Sequence, residues 1–102
     1  MEIEQARREG ARWGILRILD AGRPMGVNDA VILRVLIDEK LITAARDLKR
    51  ELDYLNGLDL IQIEHDRHGK TVAARLTAAG VEVVEYTAAA PAGIARPHRE
   101  TH

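Results

Sequence analysis

Arg46 and Arg50 stand four residues apart, with Thr43 just ahead of them and Lys49 between them. At about 100° per residue, Thr43, Arg46 and Arg50 share one side of a helix and Lys49 flanks it. Downstream, Arg67, His68 and Lys70 cluster in the polar stretch His65–Lys70, which holds a single glycine, Gly69. These are mainly hydrogen-bond donors. A guanidinium is a planar fork that bonds paired acceptors bidentately, such as the O6/N7 edge of guanine, a phosphate or a carboxylate. Threonine suits a phosphate or the methyl group of thymine. Catalysis would need a nucleophile or base oriented by a partner in a cleft. The chain has no Ser-His-Asp arrangement, no glycine-rich phosphate loop and no carboxylate pair in apolar surroundings. Asp38-Glu39 and Glu82/Glu85 read as solvated helix faces. The expectation is therefore a binding protein, not an enzyme. His65/His68 and His98/His102 have spacings that would suit zinc on a helix. The first pair falls in a turn and the second in a tail, and the chain has no cysteine, so no metal site and no cofactor are expected.

The elements that would position these residues follow from periodicity. Residues 43–56 read as a helix with Thr43 as its N-cap and Asn56-Gly57 as its stop, Gly57 taking the left-handed conformation that ends helices. Ala45, Leu48, Leu52 and Leu55 form its core face. Thr43, Arg46, Asp47, Arg50 and Tyr54 form the opposite face, with Lys49 and Asp53 at the flanks. A first helix is expected over 3–21, with Ala11, Ile15, Leu16, Ile18 and Leu19 inward and Arg7, Arg8, Arg12 and Arg17 outward; Gly22 stops it. Trp13 lies at the edge of that arc, either folded over the helix end to close the core or reserved for a subunit contact. A second helix over about 29–39 is capped by Asn28 or Asp29 and is apolar nearly all round, which predicts the buried middle of the fold. After Gly57 the pattern turns strand-like in Leu60–Glu64 and Thr71–Leu76, around the polar His65–Lys70 turn: a β-hairpin. Thr77 caps a last helix over about 78–87. Beyond Ala88, Pro91, Gly93 and Pro97 forbid a continuous helix, and residues 88–102 are expected to be a disordered tail.

At 102 residues, with 46% hydrophobic side chains, the chain reads as one domain over 1–87 plus that tail. The lack of cysteine excludes disulfides and suits a reducing, cytoplasmic setting. No apolar run approaches the roughly 20 residues of a membrane span, and no small-molecule substrate is evident. The net charge is −1, and residues 43–76 carry six basic and six acidic side chains. A protein that holds nucleic acid through its phosphates usually shows a basic excess. Any such footprint must come from the placement of charge on a balanced surface.

The order helix, helix, helix, hairpin, helix resembles the winged helix-turn-helix domain of small bacterial or phage transcriptional regulators, the MarR-, PadR- and ArsR-like group. The resemblance covers residues 11–86. It rests on Trp13–Leu19, on the run from Leu48 to Ile61 with its L-x-x-L-x-x-x-G-L-I join, and on Leu76-Thr77-Ala78-Ala79-Gly80, the L-T-x-x-G after the hairpin. It implies a mainly α fold with a small β-hairpin: a three-helix core, a two-stranded wing and a C-terminal helix. It further implies binding of double-stranded DNA in transcription regulation, with helix 43–56 in the major groove. Thr43, Arg46 and Arg50 would then reach DNA, Lys49 would sit beside the backbone, and Arg67, His68 and Lys70 of the wing would reach the minor groove or backbone. Members often pair through terminal helices, which carries over as a homodimer through the first helix, with Trp13, and the last. Because folds are reused, the alternative is a winged-helix protein–protein interaction module without DNA binding.

Overall fold

The computed structural model describes residues 2–99. The chain runs α1 (Ile3–Ala21), β1 (Val27–Asn28), α2 (Asp29–Asp38), α3 (Ala45–Gly57), β2 (Ile61–His65), β3 (Thr71–Leu76) and α4 (Ala78–Val84). Glu2 caps α1, its carboxylate accepting from the N–H groups of Glu4 and Gln5 at 2.9 and 3.0 Å. These are donors that a first helical turn leaves without partners. The bounds of α1 match the expected 3–21. Ala11, Ile15, Leu16 and Leu19 are buried. The outward arginine set needs one correction: Arg12 is buried as well, only 4% exposed.

Asn28 caps α2, its side chain accepting from the Ala30 N–H at 2.8 Å. The helix is not the buried middle that its composition implies. Ile32 and Leu36 are fully buried, but Val31 and Ile37 are 51% and 41% exposed. A helix at the edge of a small core turns only one arc inward, and the remaining apolar side chains stay outside.

The start of α3 also differs from expectation. The N-cap is Ala44, which has no side chain able to cap. That role falls to Asp47 in the first turn, whose Oδ2 accepts from the Ala44 N–H at 3.1 Å and from the Thr43 hydroxyl at 3.1 Å. This is one half of a capping box, with Thr43 donating to the box in place of capping the helix. At the far end Gly57 is the last helical residue, and the left-handed residue is Asp59 (φ 61°). The same ending occurs three times. Lys40, Asp59 and Tyr86 each have φ near 61°, and the following N–H reaches back to the third-last helical carbonyl: Leu41 to Leu36, Leu60 to Leu55, Thr87 to Glu82. These are Schellman ends built on non-glycine residues. The α2–α3 turn therefore needs no glycine, because Lys40 takes that conformation.

The hairpin β2–β3 pairs Ile61 with Leu76 and Ile63 with Ala74, with a bulge between Glu64 and His65. Its tip is closed by the Asp66 N–H donating to the Lys70 carbonyl, and Gly69 (φ 81°) supplies the left-handed residue. Beyond the expected two strands there is a third. β1 pairs antiparallel with β3, giving the order β1-β3-β2. Two residues are too few to show a strand period, so β1 is invisible in sequence. The fold is thus mixed α and β, with four helices and a three-stranded antiparallel sheet among the described residues. α1, α2 and α3 close over Ile61 and Ala74 of the sheet to form one core. Thr77 caps α4 as expected, accepting from the Gly80 N–H at 3.1 Å, but the helix stops at Val84. Gly80 in its first turn has a reason: a Cβ there would run into the Leu60 carbonyl oxygen.

The segment read as a disordered tail is docked as far as Arg99. Ile94 enters the core at 6% exposure. The Ala95 N–H donates to the Glu9 carbonyl, and Arg96 donates to the carbonyls of Val83 and Ala88 at 2.9 and 2.8 Å. Pro91, Gly93 and Pro97 do exclude a helix, yet one isoleucine and one arginine suffice to hold an irregular strand of chain. No helix among the described residues is long and apolar enough to cross a membrane.

Candidate functional site

The exposed surface of α3 consists of Ala45, Arg46, Lys49, Arg50, Asp53, Asn56 and Gly57. This differs from the expected face in two places. Ala45 lies outside the core, and Tyr54 is half-buried, turned toward α1 with the Arg12 guanidinium 3.7 Å above its ring centre. The shift comes from Glu51, which is fully buried and draws the inner arc of α3 toward α1. Its Oε1 accepts from Arg12 Nε at 2.8 Å, and its Oε2 accepts from Arg8 Nε at 3.0 Å and Arg50 Nε at 3.1 Å. Burial pushes the Glu51 carboxyl up, but hydrogen bonds from Arg12 and Arg8 and the neighbouring guanidinium charges outweigh it and hold it below the ordinary glutamate range. Arg12 also donates to the Gly93 carbonyl at 3.0 Å, so the docked C-terminal segment completes its surroundings. A buried charge is tolerated only when paired and hydrogen-bonded, and this one is. Sequence reasoning missed the network because Arg12 and Glu51 lie 39 positions apart, and each looks like a solvated charge on its own helix.

The remaining charges of residues 43–76 sort into two groups. Asp47 is half-buried and turned to the Thr43–Ala44 backbone. Burial pushes its carboxyl up, but the Thr43 hydroxyl, the two backbone N–H groups and Arg50 bring it below the ordinary value. Asp53 pairs with Lys49 at 3.1 Å and Glu64 with Arg75 at 3.0 Å. Asp66 bends back into the hairpin tip, Oδ1 accepting from the N–H groups of His68 and Lys70 at 2.8 and 3.0 Å. Asp59 lies past the far end of α3, about 20 Å from its start at 1.5 Å per residue. Arg46, Arg67 and Lys70 are exposed, and among the described residues no carboxylate lies within ion-pair distance of any of them.

α3 and the hairpin tip face each other across a cleft of about 380 Å³. Ala30, Leu33, Leu48 and Leu52 line it, with Asp29, Lys49, Asp53, His65 and Lys70 on its walls. Of the seven residues singled out for binding, Lys49 and Lys70 meet at this cleft. Arg46 and Arg50 stand on the α1 side of α3, beside Thr43. Arg67 and His68 sit exposed at the hairpin tip. The Thr43 hydroxyl is engaged by Asp47, and the Arg50 Nε by Glu51. Trp13 is half-buried and meets Tyr86 edge to face, ring centres 6.2 Å apart, closing the gap between α1 and the chain after α4. No group of three or more His, Cys, Asp or Glu side chains among the described residues could hold a metal ion. The His98/His102 pair lies partly outside the described residues. No family model, curated protein or solved structure matches the chain.

Proposed function

We propose that the chain is a winged helix-turn-helix domain that binds double-stranded DNA in a sequence-specific manner, as a small cytoplasmic transcriptional regulator. In this reading α2 and α3 form the helix-turn-helix, α3 enters the major groove, and the β2–β3 hairpin is the wing on the minor groove or backbone. The observation that carries it is the sorting of charge: among the described residues Arg46, Arg67 and Lys70 have no carboxylate partner, while Asp47 and Asp66 bond backbone N–H groups and Asp53 and Glu64 pair with Lys49 and Arg75. That supplies the unpaired cations a balanced composition withheld. Arg46 and Lys49 are the base-edge readers, Arg67 and Lys70 meet phosphates, and His68 lies beside them on the wing. Thr43 positions the start of α3 through Asp47, and Arg50 is the less free of the two guanidinium groups.

The exposed Val31 and Ile37 on α2 favour the second reading, a protein-binding winged helix. The two separate in one titration of the full chain against a random duplex pool at several salt concentrations. DNA binding predicts affinity that falls steeply with salt. An Arg46→Ala/Arg67→Ala/Lys70→Ala variant should bind more weakly, with a slope shallower by about one for each side chain that had neutralised a phosphate. A wild type inert at low salt, or a triple variant equal to it, transfers the assignment to the protein-binding reading.

A further inference from the structure

We infer that Arg8 and Arg50, yoked through Glu51, form a clamp for a backbone phosphate on the α1 side of α3. The inference deepens the DNA reading and rests on it.

Both arginines donate through Nε to one oxygen, Glu51 Oε2, at 3.0 and 3.1 Å. Their Nε atoms therefore lie within the sum of those distances of each other. The shared carboxylate occupies the Nε edge of each fork and leaves the terminal nitrogens. Among the described residues, Nη1 and Nη2 of Arg8 and of Arg50 donate to no acceptor. Asp47 stands 3.7 Å from Arg50 Nη2, an ion-pair contact beyond hydrogen-bond range. The two side chains are 31% and 45% exposed, so the free ends reach solvent. They open into a notch of about 110 Å³ that Arg7 and Arg46 also line. Of its acids, Glu51 is turned inward, Asp47 bonds the Thr43–Ala44 backbone through Oδ2 with Oδ1 3.7 Å from Arg50 Nη2, and Glu4 lies at the rim, 3.6 Å from Arg7, against four arginines. The open side of the notch is cationic.

Paired guanidinium forks match the oxygens of a tetrahedral phosphate, and forks already held by a buried carboxylate lose little side-chain freedom on binding. The position supplies the source. Lys70 of the hairpin stands on one flank of α3 and this clamp on the other. A helix in the major groove lies between two phosphate walls, and this arrangement offers cations to both.

The test uses the full chain with Arg8→Ala, Arg8→Lys and Arg46→Ala, each checked by thermal melting. Duplex binding is followed by anisotropy across salt, and inorganic phosphate binding by the Nε–Hε NMR signals of Arg8 and Arg50. Arg8→Ala is expected to weaken duplex binding up to about tenfold near 0.1 M salt, equally for all sequences, with the slope reduced by about one. Arg8→Lys restores only part, since an ammonium has no fork. If Arg46→Ala weakens binding while Arg8→Ala matches wild type in affinity and slope, the clamp is wrong and the DNA reading stands. If wild type binds no duplex, the DNA reading fails and phosphate decides. Saturable shifts of both signals, with the Arg50 shift lost in Arg8→Ala, keep the clamp as a site for free phosphate; no shifts overturn it.

Discussion

The two flanks of α3 use the same residue types to opposite ends. On the flank that meets α1, Glu51 accepts from Arg12 and Arg8 at distances of 3.0 Å or less, and Tyr54 covers the guanidinium of Arg12. On the flank that faces the hairpin Lys49 is paired only with Asp53 of its own helix, and across the cleft Arg67 and Lys70 have no carboxylate within ion-pair distance among the described residues. An arginine count does not separate these flanks, nor does a helical wheel. What separates them is whether another element brings a carboxylate within reach. The inner flank uses a buried carboxylate to hold its arginines in place, and the outer flank leaves its hairpin cations unheld.

The largest effect should follow from breaking the inner flank. Glu51→Ala leaves the buried Arg12 guanidinium without its counter-ion, an imbalance that costs about 3–5 kcal/mol. A domain of this size has only about 5–15 kcal/mol in total. Arg46→Ala, at an exposed arginine with no carboxylate beside it among the described residues, should stay within about 0.5 kcal/mol. Urea denaturation of both variants gives the contrast directly, and equal costs would erase it. Acid sharpens the same point. The Glu51 carboxyl is depressed in the folded state, so its contribution is complete above the unfolded glutamate value of about 4.3 and is lost as pH falls through the lower folded value. Melting temperature should therefore drop below about pH 4.3 in wild type. The drop should be shallower in a folded Glu51→Gln variant.

Next in size is the C-terminal segment, which closes the inner flank from above. Ile94→Ala should cost about 2 kcal/mol, the low end for a buried isoleucine because an irregular segment can relax around the gap. The loss should spread to Arg12, whose Gly93 acceptor lies on the same segment. Hydrogen exchange at Ala95, whose N–H is bonded to the Glu9 carbonyl, should rise more than exchange in α3. Unchanged stability and exchange would mean that this segment adds nothing to the inner flank.

This segment also marks where sequence is a poor guide. Its prolines exclude a helix, and without periodicity nothing points to order, because a single anchor such as Ile94 has no pattern. The elements that are legible have caps and periods of their own: α1 with its Gly22 stop, α2 behind Asn28, the hairpin around Gly69, and Thr77 before α4. The misses are long-range or too short to be periodic. β1 exists only as a partner of β3. Arg12 and Glu51 explain each other but are read separately. Asp59, not Gly57, ends α3 because the Leu60 N–H reaches Leu55. For the candidate site, the residue types are legible and their freedom is not. Arg46 and Arg50 look alike in sequence, yet only Arg50 is tied to a carboxylate.

The smallest expected effect lies on the outer flank, and it tests whether that flank is used. Asp53 is the one acid exposed on α3, and it holds Lys49 at 3.1 Å across one helical turn. Asp53→Asn removes an exposed ion pair worth about 0.3–0.5 kcal/mol, so stability should barely move. Binding should move in the other direction. Freeing Lys49 and removing a negative charge from the cleft should strengthen duplex affinity several-fold at low salt and steepen the salt dependence by up to about one. A variant with lower stability and unchanged affinity would place the DNA elsewhere. One with unchanged stability and tighter, more salt-sensitive binding would show that the Asp53 carboxylate holds the outer flank short of its full positive charge.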